Sequence, residues 1–130
     1  MPVVLPTTES LTVEFKSDRN GYPDLELIEA ITCLANTAGG ELWLGVEDDG
    51  VPSGLHPKHQ NSADLAALIA EQTLPSLTVT IKKYTNNSIT IAQILVPQAS
   101  TLIATQEGAY LQRRLKTDGT PECIHISPDA

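Results

Sequence analysis

The sequence predicts an α+β domain with a mixed, mostly antiparallel sheet and two helices. Three observations predict it: short segments of apolar alternation, two stretches of helical period, and turns rich in Gly, Pro and Asn between them. Leu11, Val13 and Phe15 alternate with Thr12, Glu14 and Lys16, the pattern of a half-buried strand that turns Glu14 away from the core. After the Asn20-Gly21-Tyr22-Pro23 turn, Asp24 is placed to cap a helix in which Leu25, Ile28, Ile31, Leu34, Ala35 and Ala38 recur, ending at Gly39. Leu42, Trp43, Leu44 and Val46 form an almost unbroken apolar run, as in a central strand covered on both faces. Glu47-Asp48-Asp49-Gly50 is its acidic exit turn.

Val51 to Asn61 reads as a loop, and Asn61 or Ser62 starts a second helix with Leu65, Leu68 and Ile69 inward and a stop at Pro75. Leu77, Val79 and Ile81 alternate, as do Ile89 and Ile91, around Thr85-Asn86-Asn87, a hairpin signal because Asn tolerates positive φ. Further strands are expected at Thr101 to Thr105, Ala109 to Arg114 and Cys123 to Ser127. The whole chain, 1–130, reads as one domain, and as the front of a longer protein.

Composition restricts the function classes. The net charge of −8, from 16 acids and 8 bases, opposes unguided attraction to nucleic acid, so any phosphate contact must be local. No apolar run approaches the roughly 18 residues of a membrane span, and Met1 to Pro6 lacks a basic secretion start, so a cytoplasmic protein without a membrane partner is expected. Cys33 and Cys123 lie far apart without a C-x-x-C partner, which predicts buried reduced thiols rather than a disulfide or metal ligands. His56-Pro57-Lys58-His59 lacks the further ligands of a zinc site, and His125 reads as a surface residue. Phe15 and Trp43 are expected in the core.

Two segments carry a more specific pattern. Glu9 stands five residues before Glu14-Phe15-Lys16, and Ala35-Asn36-Thr37-Ala38-Gly39-Gly40 precedes the strand closing at Gly45-Val46-Glu47-Asp48-Asp49-Gly50. Tyr110, Arg113, Gly119 and Pro121 form a looser late motif. The pattern resembles the Alba-like DNA-binding domain of Schlafen proteins, divergent-AAA transcriptional regulators and RecG-like helicase-related proteins. That resemblance implies DNA or RNA as a weakly bound partner of the isolated domain, a link to transcription regulation, and further domains in the parent chain. ATP binding would belong to that parent, since no G-x-x-x-x-G-K-[ST] loop occurs here.

Three functional readings follow. The first is a non-catalytic nucleic-acid-binding or regulatory module without a cofactor, in which Lys82, Lys83, Tyr110, Arg113, Arg114 and Lys116 contact phosphate. In it the Asn36, Thr37, Gly39 and Gly40 turn shapes the adjoining surface. The second is a metal-dependent ribonuclease. Converging carboxylates can hold Mg²⁺ or Mn²⁺, and the Schlafen resemblance implies a three-acid site that cuts transfer RNA, placed here on Glu9, Glu14 and Asp48. Schlafen nucleases use a horseshoe core of two such halves, and this chain has one. The third is a protein-interaction or homo-oligomerisation domain, which suits the acidic charge.

Overall fold

A computed structural model describes residues 3–127; the terminal Pro128, Asp129 and Ala130 of the predicted chain end lie outside the described residues. Strand β1 (Val13–Lys16) is followed by helix α1 (Asp24–Ala35), strand β2 (Gly40–Leu44), a 3-10 turn (Pro57–His59) and helix α2 (Ser62–Glu71). Strands β3 (Thr73–Leu74), β4 (Thr80–Asn86), β5 (Ile89–Val96), β6 (Ala104–Thr105), β7 (Leu111–Leu115) and β8 (Pro121–His125) complete the order. The main sheet runs β1-β2-β5-β4, and β3-β6 and β7-β8 form two small ribbons. β1 and β2 are parallel, as expected of strands joined through a helix, and the other pairs are antiparallel. This is the mixed, mostly antiparallel α+β architecture that the sequence predicts.

The period of two along β2 explains how the sheet is covered. Leu42 and Leu44 face α1 and α2, joining Leu27, Ile31, Leu34, Leu65, Ile69 and Ile94 in the larger core. Trp43 points the other way and meets Phe15, Val46 and Ile91, with Tyr84 tilted against its ring at 5.9 Å. Its indole N–H and the Gln93 amide both donate to Glu41, and Tyr84 donates to Gln93, so the polar atoms on this face are paired.

Several local expectations change. Asp24 opens α1 without capping it; Pro23 occupies the cap position and no side chain supplies the cap bond. Ile28, Ile31, Leu34 and Ala35 are buried as expected, but Leu25 in the first turn is exposed and Leu27 is buried in its place. The helix ends at Ala35, leaving Ala38 exposed. In α2 the Asn61 side chain does accept from the Asp64 N–H. The hairpin turn falls at Asn87 and Ser88, both with positive φ.

Buried polar side chains make the corner after α1. Asn36 donates to the Ile103 and Leu111 carbonyls and accepts from the Ile103 N–H, while Thr37 accepts from the Arg113 N–H. Gly39 and Gly40 then let the chain pass close to its neighbours: a Cβ on Gly40 would lie 2.2 Å from the Thr12 carbonyl oxygen, and one on Gly39 2.7 Å from the Gln98 nitrogen.

The cysteines depart from the expectation of separate thiols. β7 docks on α1 and β8 returns beside it, which brings Cys123 to Cys33 with a Cα–Cα distance of 6.1 Å, and the two form a disulfide. Sequence spacing alone could not reveal that juxtaposition.

Asn36→Ala strands three buried backbone groups, each costing about 1–3 kcal/mol when left unpaired. Chemical denaturation should therefore show a loss of at least about 2 kcal/mol. A loss below about 0.5 kcal/mol would mean that those groups find other partners.

Candidate functional site

Glu9 and Glu14, with Asp48 from a distant turn, line one cavity of about 470 Å³. Lys16, Tyr22, Glu26, Glu29, Arg113, Glu122, Cys123 and His125 complete most of its wall. Glu14 and Lys16 share a face of β1 opposite Phe15, and both line the cavity. Glu14 lies opposite Phe15 as the alternation predicts, yet its side chain is only 12% exposed, since β7 brings Arg113 against it. Asp48 is exposed on the turn after β2, where the Gly50 N–H donates to the Glu47 carbonyl. Glu47 itself accepts from Ser53 and faces Arg19 rather than the cavity.

Arg113 organises the site. Its Nε donates to the Leu11 carbonyl, its Nη2 to the carbonyls of Ser10 and Val13, and its Nη1 to Glu14, with 1% of the side chain exposed. Its guanidinium is thus committed within the protein, which corrects the expectation that Arg113 contacts phosphate at the surface. The other predicted bases are dispersed. Lys82 and Lys83 are exposed on β4, with Lys83 donating to the Gln60 carbonyl, whereas Arg114 and Lys116 lie on the β7-β8 ribbon and Arg114 pairs with Glu122. Tyr110 is half-buried just before β7.

The two glutamates at the centre titrate differently. Burial, and then hydrogen bonding with Glu14, push Glu9 up to about 7, although the Phe15 N–H donates to it. Burial also opposes the Glu14 carboxylate, but hydrogen bonds from Glu9 and Arg113 and the charge of Lys16 outweigh it and hold Glu14 below its usual range. Lys16 Nζ is 3.8 Å from Glu14 and 5.6 Å from the centre of the Tyr22 ring. Burial disfavours its charge, yet Glu14, Tyr22 and Glu9 raise its affinity for the proton. Among the described residues no three His, Cys, Asp or Glu side chains form a closed metal shell.

A second polar cluster was not foreseen from the sequence. His59 is buried with Nδ1 2.9 Å from both Asp18 oxygens and Nε2 3.0 Å from Asp24. Asp18 also accepts from the N–H groups of Tyr22 and His56, tying the 3-10 turn to the start of α1. The spacing of His56 and His59 points to zinc only superficially; the partners of His59 are carboxylates.

The profile of the family described as Schlafen, AlbA_2 matches residues 9–120. The chain belongs to that family. This Schlafen/AlbA_2 chain also resembles a crystal structure of the DIP2311 protein from Corynebacterium diphtheriae, with a TM-score of 0.71 and 21% identity, over 89% of this chain and 25% of that one. At that identity the likeness concerns the fold. A second likeness is to the solution NMR structure of the N-terminal domain of a RecG-related DNA helicase protein from Nitrosomonas europaea, with a TM-score of 0.56 and 27% identity, over 71% of this chain and 66% of that one. The chain thus spans a quarter of one structure and about two-thirds of the other. No curated protein matches the sequence. No helix among the described residues is long and apolar enough to cross a membrane.

The glutamate pair gives a pH prediction. Between about 4.5 and 7 the native chain holds a Glu9 proton that the unfolded chain has released, so the contribution of this carboxyl to stability falls as pH rises through that window. Carboxyl-carbon NMR should show Glu9 titrating near 7 in the native protein, and lower, but still above 4.5, in Glu14→Gln, where burial persists. A Glu9 midpoint near 4.5 in the native protein would contradict the buried pair.

Proposed function

We propose that this domain acts on the phosphodiester backbone of RNA through the acidic cavity, with a divalent cation held by Glu9 and Glu14 and approached by Asp48. The observation that carries the reading is the meeting of Asp48, from a distant turn, with the Glu9 and Glu14 pair in one cavity, while the predicted basic contacts are dispersed over two sheets.

The residues present suit a hard cation. Mg²⁺ commonly takes only one or two protein carboxylates and keeps several waters, so the lack of a closed three-ligand shell does not oppose it. Two close carboxylates, one retaining its proton to about 7, form the arrangement in which a cation can replace that proton. A bound ion would neutralise charge developing on a phosphoryl oxygen.

The chain's own groups supply the rest. Arg113 keeps Glu14 ionised and aimed at the cavity from its place on β7. The Phe15 N–H orients Glu9. Lys16 adds a positive charge at the wall that would attract a phosphate into an otherwise acidic site. Helicase and transcriptional functions, where they occur, would belong to further domains of a larger protein.

The non-catalytic reading retains one specific observation. A separate groove of about 910 Å³ beside β4 is lined by Lys83, Tyr84, Asn86, Asn87, Ile89 and Ile91 and has no carboxylate in its wall, in a protein of net charge −8. A nucleic-acid strand passing Lys83 would fit that groove, with exposed Lys82 next to it in β4 and with binding that weakens as salt rises.

End-labelled transfer RNA incubated with the protein and Mn²⁺ distinguishes the readings. Cleavage should require the metal and fall about 10²-fold or more in Glu9→Gln and Asp48→Asn. Intact RNA that is bound in a salt-sensitive manner, and released by Lys82→Ala with Lys83→Ala, would overturn catalysis in favour of the binding module.

A further inference from the structure

We propose that the Cys33–Cys123 disulfide is a reversible thiol–disulfide latch that holds strand β8 in place as one wall of the acidic cavity. Cys33 is fully buried on α1, whereas Cys123 is exposed on β8 and, with Pro121, Glu122 and His125, lines the cavity. The asymmetry gives a small reductant access to one end of the bond only. The inference concerns the position of that wall, so it stands whether or not the cavity cleaves RNA.

β7 and β8 are secured to the body in different ways. β7 is fixed by the buried Arg113, by the Asn36 bond to the Leu111 carbonyl and by the Thr37 bond to the Arg113 N–H. β8 pairs with β7 alone among the described strands, and beyond its end the Ile126 N–H donates to the Tyr110 carbonyl. Its link to α1 is the disulfide. Opening the bond would leave β7 anchored and β8 free to fray from its outer edge, carrying Glu122 and His125 away from Glu9 and Glu14.

The exchange balances with a small-molecule disulfide as oxidant. The Cys123 thiolate attacks one sulfur of that disulfide and expels the other as a thiolate; the Cys33 thiolate then attacks Cys123 Sγ and expels the second. Two protein thiols become one disulfide, the oxidant becomes two thiols, and the two protons pass to the expelled thiolates. A dithiol reductant reverses the sequence by attacking the exposed Cys123.

The test uses the full chain in glutathione disulfide and in dithiothreitol, with alkylation counted by mass spectrometry and amide hydrogen exchange read by NMR. Under oxidant no thiol should alkylate. On reduction both should, and the amides of Glu122 to His125 should lose protection by about tenfold or more while Leu42 to Leu44 keep theirs. Cys123→Ser in oxidant should exchange like the reduced wild type. Thiols that stay alkylatable in oxidant, or β8 protection that does not change on reduction, would overturn the latch. Equal loss of protection in β2 would overturn it as well, because the bond would then stabilise the whole fold rather than one wall.

Discussion

The buried guanidinium of Arg113 is the constraint on which this structure turns. A charged group taken out of water costs several kcal/mol unless its donors are matched, as is usual for buried ions. Here they are matched by the carbonyls of Ser10, Leu11 and Val13 and by the Glu14 carboxylate. Those partners belong to β1 and the segment leading into it, while Arg113 comes from β7, a hundred residues later in the chain. One side chain therefore joins the late ribbon to the first strand and places a carboxylate in a cavity. Burial opposes the Glu14 carboxylate, but hydrogen bonds from Glu9 and from Arg113 hold it charged, and Glu9, not Glu14, retains the proton.

The corner after α1 provides the other half of that junction. Asn36 and Thr37 use their side chains to bind the backbone of β7 and the segment before β6, and the two glycines that follow bring β2 against Thr12. A helix end of this kind does more than terminate the helix. It fixes β7 relative to β1, so that the Arg113 side chain reaches its partners, and it starts the strand whose exit turn carries Asp48. Fold stability and the shape of the acidic cavity thus depend on the same few hydrogen bonds.

Much of the fold was legible because its elements are amphipathic with clear periods. Leu42, Trp43 and Leu44 announced a strand covered on both faces, and Asn61 announced the start of α2. The clustering of Glu9, Glu14 and Asp48 could be expected only through the resemblance to a family, since no local period links residues on a strand, before it and on a distant turn. The burial of Arg113 was hidden for the same reason. Its neighbour Arg114 is exposed, and alternation along β7 separates a structural arginine from a surface one only when the partner face is known. The buried contacts of His59 and the Cys33–Cys123 bond were missed because their partners lie far away in sequence, so spacing suggested neither a carboxylate cluster nor a disulfide. Leu25 and Leu27 illustrate a smaller limit, in which either leucine satisfies a helical stripe and the packing of α1 decides between them.

Glu9, Glu14 and Asp48 line one cavity of a Schlafen, AlbA_2 domain, and the function proposed above requires Glu9 and Glu14 together to hold a divalent cation. The most direct measurement is paramagnetic relaxation by Mn²⁺ at substoichiometric concentration, read from the backbone amides at pH 6 and pH 8. Broadening should centre on Glu9, Glu14 and Asp48 and strengthen at the higher pH, as a cation displaces the proton that Glu9 holds to about 7. Broadening centred on Glu47 and Asp49 instead, or spread evenly over the acidic surface, would contradict the account.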